Sequence, residues 1–328
     1  MSAKIRRRKA TAVLKSGEKV VIPAWTLDSG KPGPCLLMTA AQHGNEVQGA
    51  EIIRRFVDMA ARDMKAGKLI AVPFVNLPAI RARRPHIRMK PEQPYGDDRG
   101  HNMNRTWPGR RAGNDTARVS HAIYEAFGRQ CTHVLDFHCW TKFRAPAVLI
   151  RDTRASHALA AKLGHRFVNV SAPDKKSGTI TGFFCNTGRA GVTYECSGQY
   201  LVDEREVRLG LRVAVNMARA IGLLPGRLLK ADRPIVFSDQ SVTCDVHAPC
   251  SGLFVGRELA LSGHVRKGTV LGHVFSDRDL SCREVRAPRA GYLLGYGGYR
   301  ANPDVALPAQ HPYMAKGDRI AQLRTPRR

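Results

Sequence analysis

Over most of its length the chain alternates short apolar runs with stretches of helical period. Residues 34–41, Pro-Cys-Leu-Leu-Met-Thr-Ala-Ala, read as a strand covered on both faces, because only Thr39 interrupts the apolar run. Residues 46–62 follow with Val47, Ala50, Ile53, Val57 and Ala60 near helical spacing. A second strand is predicted over 68–75, and an amphipathic helix over 117–127 that Gly128 ends. Another buried strand covers 132–137, a helix 156–163 and a strand 191–195. A long helix over 203–221 stops at Gly222. Strand–helix alternation of this kind predicts an α/β domain with a mixed, mostly parallel sheet flanked by helices.

The texture changes after Leu224-Pro225-Gly226: from Ile235 onward only short β-prone pieces remain, punctuated by Gly and Pro. Within them Val246-His-Ala-Pro-Cys-Ser-Gly-Leu-Phe254 is echoed by Val285-Arg-Ala-Pro-Arg-Ala-Gly-Tyr-Leu293. Each copy is followed by a turn phrase, Val265-Arg-Lys-Gly-Thr-Val-Leu271 and Met314-Ala-Lys-Gly-Asp-Arg-Ile320. The doubled pattern resembles the biotinyl/lipoyl-type barrel sandwich, a small all-β domain of two quasi-repeats. A carrier of that type needs a lysine at the hairpin tip between the halves, and residues 275–284 contain none. The expected organisation is therefore an α/β domain over 1–230, flanked at its end by an unmodified β-domain over 231–328.

Two separated pieces suggest a metal site. His43-Gly44-Asn45-Glu46 follows the first buried strand at a strand-to-helix turn, where Gly44 is expected to leave room for an ion. Asp136-Phe137-His138 ends another buried strand, with Asp136 and His138 on one face by period-two alternation. Carboxyl ends of strands are where α/β sites gather. Two histidines and a glutamate are a catalytic zinc set that leaves a position for water or substrate. Asn104-Arg105, in a Gly/Pro-bounded loop, offers an amide and a forked donor suited to a carboxylate. Glu195 enters a Gly-containing turn after a strand, either as a working carboxylate or as a loop cap.

His43-Gly-Asn-Glu46, Asn76-Leu-Pro-Ala79, Asn102-Met-Asn-Arg105-Thr-Trp-Pro-Gly109, Asp136-Phe-His138 and Gly191-Val-Thr-Tyr-Glu195 occur in this order between about Ala24 and Gln199. In this the chain resembles the succinylglutamate desuccinylase/aspartoacylase family, zinc carboxypeptidase-like enzymes that remove acyl groups from the nitrogen of amino acids. The resemblance implies one zinc ion held by His43, Glu46 and His138, with Glu195 as general base. It implies that Asn104 and Arg105 clamp the substrate carboxylate. An arginine after the Asn-x-x-Ala motif polarises the scissile carbonyl; Arg84 matches best, with Arg81 and Arg83 as alternatives. The Asn-x-Asn-Arg-x-Trp-Pro-Gly phrase is closest to N-acetyl-diaminobutyrate deacetylase-like members. Residues 81–100, with five arginines and Pro85, Pro91 and Pro94, depart from the family pattern.

Composition narrows the alternatives. The chain has 328 residues, 53 Lys and Arg against 27 Asp and Glu, and a net charge of +26. Such an excess suits acidic small molecules, and a metal-free polyanion-binding module is the reading from another class. The basic residues are scattered, with clusters at 4–9, 81–90 and 324–328, and no zinc-finger, RNP or basic-zipper pattern accompanies them. Neither nucleic acid nor membrane is expected as a partner; homo-oligomerisation is left open. A carboxypeptidase or esterase using the same water is the alternative within the chemistry. The eight cysteines form no C-x-x-C pair and no secretion signal opens the chain, so a cytoplasmic protein is expected.

Overall fold

The computed structural model describes residues 3–89, 100–229, 233–299 and 312–326. Half of the predicted segment 81–100, residues 90–99, and the end of the 324–328 cluster thus lie outside the described residues. The chain divides into two compact units, one of residues 1–89, 98–140 and 146–236 and one of residues 90–97, 141–145 and 237–328.

The larger unit runs β1 (Lys4–Val13), β2 (Lys19–Asp28), β3 (Cys35–Ala40), α1 (Gln48–Asp63), β4 (Lys68–Val72), α2 (Leu77–Ala82), α3 (Asp115–Ala126), β5 (His133–Trp140), β6 (Ala147–Arg151), α4 (Arg154–Ala160), β7 (Phe167–Ser171), α5 (Ile180–Asn186), β8 (Ala190–Ser197), α6 (Glu204–Ala220) and β9 (Ile235–Phe237). The strands form one sheet in the order β1-β2-β4-β3-β5-β8-β6-β7-β9. The central β4, β3, β5 and β8 are mutually parallel, while β1, β2 and β6 add antiparallel pairings. This is the mixed, mostly parallel sheet the sequence predicts.

Side-chain alternation along β3 divides the core. Leu36, Met38 and Ala40 pack with Ile52, Phe56 and Val213 of α1 and α6, whereas Cys35 and Leu37 pack with Val119 and Ile123 of α3 and Phe184 of α5. Helices on both faces explain why every residue of β3 is buried. Their caps are chemical: Asn114 accepts from Ala117 N, Thr179 from Gly182 N, and Asp203 from Arg205 N and Glu206 N. The hairpin β1–β2 is not visible in the hydropathy pattern. The first six residues of β1 are all exposed, and only Ala10 and Ala12 turn into the core.

The second unit is built by exchange. β10 (Val242–His247), β11 (Gly252–Gly256), β12 (His264–Val265) and β13 (Val270–Ser276) come from the first repeat. β14 (Cys282–Arg286), β15 (Gly291–Tyr299), β16 (Tyr313–Met314) and β17 (Arg319–Thr325) come from the second. One sheet runs β10-β17-β15-β12 and the other β14-β13-β11-β16, so each takes two strands from each repeat. The two orders interconvert when equivalent strands are swapped. The expected hairpin tip lies between β13 and β14, where Asp279 accepts from Ser281.

His165 marks a cost inside the larger unit. It is 4% exposed, meets Tyr194 edge-on, and accepts from Phe167 N. Burial pushes its imidazole down to about 4. The unfolded chain therefore binds the extra proton first as pH falls. Stability should decline between about pH 6.5 and 4 by roughly 3 kcal/mol from this residue. Denaturant unfolding of His165→Gln across that window should show a shallower slope than the parent; parallel slopes would assign the acid sensitivity elsewhere.

Candidate metal and substrate site

The carboxyl ends of β3, β5 and β8 bring His43, Glu46, His138 and Glu195 to one edge of the sheet. β3 ends at Ala40, and Ala41 takes a positive φ of 58°, turning the chain sharply before Gln42 and His43. The turn is held from outside: Asn76 donates from Nδ2 to the Gln42 carbonyl at 2.9 Å, and Val75 N donates to Ala40 O. This gives the Asn76-Leu-Pro-Ala79 motif its physical purpose. Gly44 is required for a different reason from the one expected. A Cβ there would come within 2.3 Å of the Ala79 and Arg84 backbones. It makes room for the segment after α2, not for an ion.

Glu46 is the hub. Its Oε1 lies 2.9 Å from His43 Nδ1 and its Oε2 lies 2.9 Å from His138 Nδ1. Cys139 N donates to Oε2 at 3.1 Å, and Gln199 Nε2 donates to Oε1 at 3.3 Å. The outer nitrogens of both rings are also engaged. His138 Nε2 is 2.7 Å from Asp136 Oδ2, and His43 Nε2 is 3.1 Å from Asn102 Oδ1. A carboxylate and an amide oxygen only accept, and Glu46 is itself a carboxylate, so all four ring nitrogens face acceptors; the Nδ1 protons, turned toward Glu46, are the ones a metal would replace. Imidazoles oriented this way, by an acceptor behind and a carboxylate beside, form the donor set of a divalent ion. The ligand atoms of His43, Glu46 and His138 all lie within 4.8 Å of one another. Both the donor chemistry and the spacing fit a metal.

Electrostatics agree with that arrangement. Burial disfavours the ionised Glu46, yet His43 and His138 outweigh it and hold the carboxyl well below the usual carboxylate range. Burial also opposes a charged His138, but Asp136 and then Glu46 raise it well above its ordinary value. His43 is raised as well, with Glu46 overcoming burial. Charged groups this deep are stable only as a set.

Glu195 stands directly opposite His138 in the parallel β5–β8 register, half-buried. Paired residues of parallel strands share a face, so its carboxyl end of β8 borders the histidine. Asn104 lies at the other side, with Nδ2 3.3 Å from His138 Nε2 and Oδ1 3.4 Å from Gln42 Nε2. Arg105 donates to its neighbour's carbonyl, Asn104 O, at 2.7 Å. It also lines a cleft of about 750 Å³ with Arg110, Lys175 and Lys176. Of the three arginines that follow the Asn76-Leu-Pro-Ala79 motif, Arg81 in α2 and Arg83 are exposed and Arg84 is half-buried, with its backbone against Gly44.

Four contributors carry no role in the sequence reading. Gln42 links Asp136, at 2.6 Å, to the Trp107 indole N–H, at 2.7 Å. Asn102 both caps the turn at Met103–Arg105 and accepts from His43. Thr39 donates to Asp136 at 2.7 Å. His86 packs edge-on against His43 with centroids 5.3 Å apart. The available signals were adjacency to His43 for Gln42 and the Asn-x-Asn spacing for Asn102.

Comparison with known proteins points the same way. A family model described as the succinylglutamate desuccinylase/aspartoacylase catalytic domain matches residues 32–221. A curated N-alpha-acetyl-L-2,4-diaminobutyric acid deacetylase from Halomonas elongata is 25% identical over 285 residues, 84% of this chain and 80% of that protein. Two solved structures share the fold. A succinylglutamate desuccinylase from Silicibacter sp. TM1040 has a TM-score of 0.76 at 21% identity, covering 99% of this chain and 95% of that one. The product-bound ectoine utilization protein EutE (DoeB) from Ruegeria pomeroyi has a TM-score of 0.73 at 23% identity, covering 99% and 96%.

Asp136 is fully buried and touches the cluster only through His138 Nε2. Asp136→Asn keeps its size but offers the imidazole a weaker, neutral acceptor. Divalent-metal affinity, measured by competition with a chromophoric chelator, should fall about 10–100-fold with the fold retained. Unchanged affinity would mean that the ring is oriented without Asp136.

Proposed function

The chain belongs to the succinylglutamate desuccinylase/aspartoacylase family, and on that footing we propose that it is a zinc-dependent hydrolase of small N-acyl amino acids or related carboxylates. The observation that carries the reading is the shared Glu46 carboxylate between two inward-turned Nδ1 atoms. His43, Glu46 and His138 would hold the ion. The chemistry it supplies when bound is Lewis acidity, toward water and toward an acyl carbonyl.

The remaining work falls to the protein's own groups. Glu195 takes a proton from the attacking water and returns it to the nitrogen that leaves as the acyl C–N bond breaks. Its place beside His138, fixed by sheet register, supports this role. Asn104 and Arg105 bind the substrate carboxylate, the amide from beside His138 and the guanidinium from the basic cleft. Arg84 acts on the developing oxyanion; its half-burial against the His43 turn supports it over Arg81 and Arg83. The deacetylase from Halomonas elongata directs attention to N-acetylated diamino acids as first substrates to try.

The test is metal analysis of the purified protein, joined to a panel of N-acyl amino acids scored for released amine. One zinc per chain and release from at least one substrate are expected; a protein that neither takes up zinc nor releases amine overturns the proposal.

Two variants separate the roles. Glu195→Gln should fold, keep its zinc, and lose at least about a hundredfold in kcat with little change in KM. Loss of zinc instead would make Glu195 a ligand, and near-normal turnover would reduce it to a loop cap. Arg105→Ala should keep zinc and lose kcat/KM on free carboxylates far more than on their amidated analogues. Equal losses on both would identify a structural arginine.

A further inference from the structure

A second basic cleft lies in the larger unit, at the amino ends of the parallel strands. Lys68 opens β4 there, while the metal cluster sits beyond the carboxyl ends. Its floor follows from register. Lys4 pairs with Asp28 and Asp28 with Lys68; Arg6 pairs with Thr26 and Thr26 with Ile70. Alternation places Lys4, Arg6 and Arg8 on the same face of β1 as Ala10 and Ala12. That face belongs to α3: Ala10 and Ala12 join Val119 and Ile123 in the core. At the end of α3, Ala126 and Phe127 border a cleft over this part of the sheet, where the alanines give way to cations. The resulting cleft, of about 980 Å³, is bordered by Lys4, Arg6, Arg7, Arg8, Lys9 and Lys68.

Asp28 is the single carboxylate on this lining, and it is committed to Lys68 at 3.2 Å. Among the described residues the β1 cations make no ion pair. Elsewhere on the same unit arginines are paired, as in Arg54–Glu51, Arg55–Glu204 and Arg129–Glu125. Basic residues guard many sheet edges against pairing with other chains. That purpose does not explain Lys68, two strands inside the edge, nor the convergence of charge on one concave face. Clustered like charges repel, and an anion that bridges them recovers that energy.

We infer that this cleft binds a linear oligophosphate of three or more phosphates. Cations two residues apart on a strand are about 6.6–6.8 Å apart, so Lys4, Arg6 and Arg8 make a line too long for one orthophosphate to span. Guanidinium forks suit phosphate oxygens. Phe127, the aromatic on the lining, is 4% exposed and offers no face for a base to stack on. This disfavours single-stranded nucleic acid. The inference does not rest on the hydrolase reading.

Calorimetry on the full chain tests it, with inorganic tripolyphosphate, orthophosphate, magnesium-free ATP and a short oligonucleotide as probes. Tripolyphosphate should bind at least about tenfold tighter than orthophosphate and weaken steeply between 50 and 200 mM salt. ATP at or above the affinity of tripolyphosphate would identify a nucleotide as the source of the chain, and weaker ATP binding an inorganic polymer. Arg6→Glu/Arg8→Glu should lose about tenfold or more. Arg266→Glu/Lys267→Glu, which changes net charge equally on exposed residues of the other unit, should not. Should the first pair fail to fold, Arg6→Gln/Arg8→Gln serves in its place. Equal affinity for tripolyphosphate and orthophosphate, equal losses in both charge-reversed pairs, or tighter binding of the oligonucleotide would each overturn the proposal.

Discussion

Everything at the carboxyl end of the sheet depends on one shared carboxylate. Glu46 is 7% exposed, and both of its oxygens are occupied, by His43 and Gln199 on one side and by His138 and Cys139 N on the other. A buried charge of this kind is tolerable only while its partners stay in place. The neighbourhood therefore reads as a chain of supports. Asp136 orients His138, Gln42 and Thr39 hold Asp136, Trp107 holds Gln42, and Asn76 fixes the Gln42 backbone. The strands β3 and β5 and the loops around Gln42, Asn76, Trp107 and Gln199 are tied to a single carboxyl group, which makes the geometry hard to change piecemeal.

Much of this was legible in the sequence because burial on both faces leaves a plain signature. β3, β5 and β8 read as apolar runs, and their ends carry His43, His138 and Glu195. Period-two alternation correctly put Asp136 and His138 on one face. Elements covered on one side or neither were hidden. β1 begins with Lys-Ile-Arg-Arg-Arg-Lys, all exposed, and carries no alternation to find. β6 and β7 have no strand assigned in the sequence reading. The supporting amides were hidden for another reason. Gln42 and Asn102 act by pointing at residues 94 and 59 positions away, and no local pattern encodes such a partner. Gly44 shows how a correct residue can be read with the wrong cause, since the crowding comes from the segment after α2.

The net charge of +26 reads in the sequence as scattered basic residues with a few clusters, and the fold shows which of them stay unmatched. On α1 and its neighbours the arginines are matched by glutamates at i±3, i±4 or across to α6. The excess gathers instead where carboxylates are scarce, along β1 and in the cleft that Arg105 shares with Arg110, Lys175 and Lys176. Basic patches at opposite ends of the parallel strands create two separate fields, and each attracts anions to its own surface.

The exchanged strands of the smaller unit bear on how it is made. β17, the last strand described, sits between β10 and β15, and its Thr325 pairs with Val242. A nascent chain that has produced only the first repeat owns half of each sheet and can complete neither. The unit therefore assembles when its final strand arrives, from contacts far apart in sequence, and this favours slow folding. The α/β unit has no such delay, since apart from the short β9 all its strands precede the β-unit. Synthesis thus delivers a foldable α/β unit first and an interlocked β-unit afterwards, and without β17 the facing edges of β10 and β15 stay open.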